Sequence, residues 1–63
     1  MYEVGDRVKV LSLTHEDIDT PLKIGEIYEV QIVDPDNDVF IRLRDGQDYI
    51  LYSNQVEKVK EGQ

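Results

Sequence analysis

Cysteine is absent from the chain, and so is tryptophan. Without thiols there is no disulfide framework, no thiolate metal site and no cysteine nucleophile, and nothing in the inventory calls for an oxidising compartment. A single histidine, His15, leaves no imidazole pair for a zinc site. No apolar run approaches the ~18 residues of a membrane span, and Met1-Tyr2-Glu3-Val4-Gly5-Asp6 lacks the basic and apolar regions of a signal peptide. The expectation is a cytoplasmic protein without membrane association. Positive charge is scarce too: seven Lys/Arg face fourteen Asp/Glu, for a net charge of −7 and a pI near 4.4. Such a field repels phosphate backbones and anionic lipid, which argues against direct nucleic-acid binding and for a basic protein partner.

What is present is 40% hydrophobic sequence over 63 residues, enough for one small packed domain over 1–63, with a core region at 5–59 and a frayed tail at 60–63. A chain this short buries only about 60% of its unfolded surface, so a deep substrate pocket is not expected. Period-2 alternation dominates, and it predicts half-buried strands. Val8 and Val10 alternate with Arg7 and Lys9; Tyr28, Val30 and Ile32 alternate with Glu29 and Gln31; Val39, Ile41 and Leu43 alternate with Phe40, Arg42 and Arg44. Asp34-Pro35-Asp36-Asn37-Asp38 supplies hairpin chemistry between the second and third strands, and Asp45-Gly46 reverses the third into Tyr49-Ile50-Leu51-Tyr52. Ser53-Asn54-Gln55 reads as a brief helical turn before a last strand at Val56 to Val59. The predicted core is Val8, Val10, Tyr28, Val30, Ile32, Val39, Ile41, Leu43, Leu51, Val56 and Val59.

These elements predict an all-β, five-stranded barrel, because closure is how so few strands avoid exposed edges. Gly25-Glu26-Ile27-Tyr28-Glu29-Val30-Gln31-Ile32-Val33 resembles the second strand of SH3 domains with its preceding Gly-Glu. Ser53-Asn54-Gln55-Val56-Glu57-Lys58-Val59 is similar to the "SNYVxxI" segment that carries the SH3 helical turn and last strand. His15-Glu16-Asp17-Ile18-Asp19 sits where that family has its acidic RT loop, and Gly5-Asp6-Arg7-Val8-Lys9-Val10 resembles the "GDxVxV" opening of bacterial SH3-like, Tudor-like and KOW-type barrels. The resemblance implies an SH3-like barrel with a long first, RT-like loop and a short 3-10 turn before the last strand. The "ALYDY" signature and the paired tryptophans are missing, Tyr52 replaces the proline before Ser-Asn, and Gln55 replaces the ligand-stacking tyrosine, departures that argue against polyproline binding.

The chemistry-bearing residues are few. Asp34, Asp36 and Asp38, with Asp45 at the twelfth place, imitate the acid spacing of a Ca²⁺-binding EF-hand loop, but Val39 stands where that loop needs glycine, so the segment reads as an acidic hairpin turn. His15 beside Glu16 and Asp17 has the composition of a general base with an orienting carboxylate, yet no nucleophile or oxyanion-hole motif accompanies it. It reads as a solvated loop histidine, and no enzyme, metal or cofactor is expected. By strand phase Tyr28 and Tyr49 belong to the core or its edge, whereas Phe40 and Tyr52 share the other phase with Ile50, Arg42 and Arg44. Arg42 and Arg44 are expected to pair with carboxylates across the sheet.

The expected function is a non-catalytic interaction module that presents Glu16, Asp17, Asp19, Phe40, Ile50 and Tyr52 to a basic protein partner. Two other classes fit the composition: a small acidic inhibitor or nucleic-acid mimic of the phage type, blocking a nucleic-acid-binding protein, and a structural domain docking in a larger assembly. The first loop, 13–24, exceeds the usual connection length and is expected to be mobile and to set specificity, with one or two of Leu13, Ile18 and Leu22 packed inward and His15, Glu16, Asp17 and Asp19 outward.

Overall fold

The computed structural model describes residues 1–60. The predicted fraying of the tail therefore falls largely on 61–63, outside the described residues. Five strands form one antiparallel sheet: β1 (Arg7–Val10), β2 (Ile27–Val33), β3 (Val39–Arg42), β4 (Asp48–Leu51) and β5 (Val56–Lys58), in the order β4-β3-β2-β1-β5. Two 3-10 turns, His15–Asp17 and Ser53–Gln55, are the only helical elements among the described residues. None is long and apolar enough to cross a membrane.

The alternation produces the strands as expected. Val8 and Val10 are buried while Arg7 and Lys9 face out, and Val39, Ile41 and Leu51 complete the same side on β3 and β4. With Val30, Val56 and Leu22 they make a core of eight residues. Each such side chain contributes about 1.5–3 kcal/mol on burial.

The central strand departs from strict alternation. Val30 pairs with Ile41, but the next pairs are Ile32 with Phe40 and Val33 with Val39, so one extra residue, Gln31, is accommodated between them. Such a bulge reverses the facing of everything beyond it. Ile32, predicted for the core, is therefore 48% exposed on the outer side opposite Phe40, and Val33 turns inward against the core. Three further expectations shift by smaller amounts. β3 ends at Arg42, so Leu43 enters the turn and, like Tyr28, packs half-buried on the core's edge. Val59 lies beyond β5; its N–H donates to Arg7 O at 2.8 Å, but its side chain stays half-exposed outside the core cluster.

Both hairpins follow their turn residues. Asp34 N donates to Asp38 O and Asn37 N to Asp34 O, each at 3.0 Å, with Asn37 taking the positive φ of 67°. Gly46, at φ 80°, closes the β3–β4 turn by donating to Leu43 O at 3.0 Å. This is a type I turn followed by a left-handed residue, the usual form of a three-residue hairpin loop.

Candidate interaction groove

The long first connection is tied down at three points. Leu22 is 5% exposed in the core and Leu13 packs half-buried against it, while Ile18 remains 77% exposed. The third tie is polar. Thr14 N and Thr14 Oγ1 donate to Asp17 Oδ2 at 3.0 and 3.1 Å, and Asp17 N returns a bond to Thr14 O at 2.9 Å. Thr20 Oγ1 adds a bond to Asp17 O at 2.6 Å. The 3-10 turn is thus closed on itself by Asp17.

Gln55 joins that turn to the far end of the chain. It is the one buried polar side chain among the described residues, 3% exposed. Its Oε1 accepts from Tyr52 N at 2.9 Å, and its Nε2 donates to Ser12 O and to Asp17 Oδ2, both at 3.1 Å. Every polar atom of the side chain is used, which removes the desolvation penalty of burying an amide. Burial pushes the Asp17 carboxyl up, but the bonds from Thr14 N–H, the Gln55 amide and the Thr14 hydroxyl outweigh it and hold it below its ordinary value. Asp17 was expected to face outward as a recognition acid; it is half-buried, because three donors converge on one of its oxygens.

Held this way, the first loop and the outer side of β3 and β4 enclose a groove of about 380 Å³. Glu16, Asp17 and Thr20 form the loop wall, Phe40 and Ile50 the floor, and Asp48, Tyr49 and Tyr52 the remaining rim. Phe40 and Ile50 are direct cross-strand partners, so their side chains stand on the same side of the sheet. With Ile32 opposite Phe40, an apolar row of three residues crosses β2, β3 and β4. Tyr52, 39% exposed, extends it toward the second 3-10 turn.

Of the predicted site residues, Glu16, Asp17, Phe40, Ile50 and Tyr52 come together in this groove; Asp19 is exposed but does not line it. Thr20, Asp48 and Tyr49 are additions. Asp48 was legible in principle, since the loop centred on Asp45 places it opposite Arg42. Arg42 Nε and Nη2 meet Asp48 Oδ1 and Oδ2 at 2.8 and 3.2 Å, a two-pronged bond that raises the guanidinium pKa and lowers that of the carboxyl. Cross-strand pairing of Arg42 is thus observed. Arg44 lies in the turn and not on the strand.

The Asp34–Asp36–Asp38 group is the one set of potential metal ligands within reach of one another among the described residues. One oxygen each of Asp34 and Asp38 serves the backbone. Asp34 Oδ1 accepts from Asp36 N at 2.9 Å and Asp38 N at 3.0 Å, and Asp38 Oδ1 accepts from Ser53 N at 3.0 Å. Asp45 belongs to the other hairpin, where it accepts from Gln47 N and from Tyr49 Oη, both at 2.8 Å. His15 is exposed.

Compared with protein-family models, with curated proteins and with solved structures, the chain matches none of them.

Proposed function

We propose that the chain is a small SH3-like barrel acting in the cytoplasm as a non-catalytic protein-interaction module, and that the groove between its first loop and β3–β4 binds a basic, partly apolar segment of a partner protein. Three features support the barrel reading. β2 pairs with β1 through residues 27–29 and with β3 through 30–33, the bulge at Gln31 lies in the second half, and the terminal strands β4 and β5 both deliver side chains, Leu51 and Val56, to the same core. The lack of cysteine agrees with a reducing compartment.

The observation that carries the functional reading is the juxtaposition of the apolar floor, Phe40 and Ile50, with Glu16 and Asp17 on the opposing wall. Apolar and aromatic contacts supply affinity there, and the acidic wall with the −7 field selects and steers a basic partner. The test is capture of partners from host lysate on immobilised protein, followed by amide-shift mapping with the captured protein. Glu16→Lys and Tyr52→Ala are expected to abolish capture, and the shifts to centre on Phe40, Ile50 and Tyr52. Capture indifferent to both substitutions, or shifts centred elsewhere, would overturn the reading. Asp17 is unsuitable for charge reversal because it holds the loop together.

A further inference from the structure

A second groove, of about 700 Å³, lies on the other side of the Arg42–Asp48 pair. Pro21 and Lys23 from the end of the first loop, Ile27 and Tyr28 from the start of β2, and Leu43 and Arg44 from the β3–β4 turn contribute to its walls. Two contacts form the partition between the grooves. Arg42 lines the second and Asp48 the first, and they are bonded at 2.8 Å; Asp45 lines the second and Tyr49 the first, and they too are bonded at 2.8 Å. The grooves are therefore adjacent, separated by one layer of paired side chains.

Their charge is opposite in character. The chain has only seven cationic side chains, and three of them, Lys23, Arg42 and Arg44, line the second groove. Arg42 is committed to Asp48, whereas Lys23 and Arg44 have no ion-pair partner among the described residues, in a chain with fourteen acids to choose from. Of the two acids at this groove, Asp45 is held by Gln47 N and Tyr49 Oη, which leaves Glu26 as the one acid there without a bonded partner.

We propose that a segment bound in the first groove continues over the Arg42–Asp48 partition and presents a carboxylate side chain to Lys23 and Arg44, so that the partner is read by charge order: basic and apolar, then acidic. This rests on the binding role proposed for the first groove. Basic segments that carry the acid gain two exposed charge pairs over those that merely follow the overall field, while wholly acidic segments are repelled at the first groove.

The probes are synthetic peptides of lysine and leucine, alone, with Glu-Glu added at either end, or with Gln-Gln at the same ends, titrated into the isotope-labelled full chain. The basic peptide is expected to shift the amides of Phe40, Ile50 and Tyr52. One Glu-Glu peptide is expected also to shift Tyr28, Leu43 and Arg44. It should bind roughly three- to tenfold more tightly than its Gln-Gln counterpart, the gain expected of two exposed charge pairs. Lys23→Gln/Arg44→Gln, at surface positions outside the core, should cancel that gain and leave the basic peptide's affinity within about twofold. A Glu-Glu peptide with no gain at either end, or a gain that survives the double substitution, overturns the proposal. Absence of shifts at Phe40, Ile50 and Tyr52 with every peptide overturns the first-groove reading, and the continuation with it.

Discussion

Gln55 Nε2 donates to Asp17 Oδ2 across 3.1 Å and 38 positions of sequence. The bond joins the turn before the last strand to the turn in the first loop, and the same amide group also reaches Ser12 O. One buried side chain therefore sets the distance between the loop wall of the groove and the sheet that forms its floor.

Replacing Gln55 with leucine should keep the volume and lose the clamp. Tyr52 N, Ser12 O and Asp17 Oδ2 would each lose a partner, at a cost of about 1–3 kcal/mol in urea unfolding. Faster amide exchange should appear over 12–20 first. Gln55→Glu should be worse than leucine at neutral pH, because it faces Asp17 with a second carboxylate, and should recover on acidification. Equal stability of the wild type and the leucine variant would remove Gln55 from the account.

Asp17 gives the clamp a pH dependence whose sign is determined. Its folded-state pKa lies below the ordinary carboxyl value of 3.8, so its contribution is complete above that value and is lost as pH falls through the folded pKa. Asp6, held low by the backbone N–H of Glu3 and by Lys58, and Asp48, held low by Arg42, act in the same direction. Unfolding free energy should therefore drop below pH 4. The drop should be shallower in Asp17→Asn, which cannot titrate. A variant with the same acid limb as the wild type would show that Asp17 contributes nothing to it.

The strands and turns were legible because period-2 alternation and the Asp-Gly and Asp-Pro-Asp-Asn segments act over a few residues. The bulge was not. Nothing in Glu29-Val30-Gln31-Ile32-Val33 distinguishes a continuous strand from one that accommodates an extra residue, since Val30, Ile32 and Val33 are all apolar and β-branched. The facing of Ile32 is decided by its pairing with Phe40. Gln55 was hidden for a related reason: glutamine in a turn ordinarily reads as exposed, and its burial depends on acceptors at Ser12 and Asp17, far away in sequence. Tyr2 likewise packs on the core and donates its Oη to Val56 O at 3.1 Å, a contact that spans nearly the whole chain. For the groove, strand phase correctly grouped Phe40, Ile50 and Tyr52, while the loop acids could be sorted only once the Thr14 and Gln55 bonds to Asp17 were seen.

Two apolar residues of the first loop, Leu22 and Ile18, have opposite environments. Leu22→Ala should cost about 2–5 kcal/mol, the range for large-to-small changes in a packed core, whereas Ile18→Ala at a 77% exposed site should fall within about 0.5 kcal/mol of the wild type. A domain of this size is typically stable by only about 3–5 kcal/mol. Leu22→Ala is thus expected to leave a large unfolded population at room temperature, visible as loss of amide dispersion, and Ile18→Ala to leave the spectrum intact. Equivalent behaviour of the two variants would contradict the anchoring of the loop through Leu22.

At the opposite end of the pH scale the partition between the two grooves should report on itself. Tyr49 Oη donates to Asp45 Oδ2 at 2.8 Å, and this bond, with partial burial and the nearby negative charge, raises the phenol pKa above its ordinary value of 10.0. The hydrogen bond favours the neutral phenol, since a phenolate would face the carboxylate with no proton between them. Its stabilisation is therefore complete below pH 10 and is lost as pH rises through the raised folded value. Near-ultraviolet absorbance should show a late ionisation step, above pH 10, from Tyr49. Tyr49→Phe should delete that late step. Asp45→Asn, which keeps a side-chain carbonyl to accept from Gln47 N, should shift it back toward 10. A late step that persists in Tyr49→Phe would place the perturbed phenol elsewhere and leave the Arg42–Asp48 pair as the sole bond across the partition.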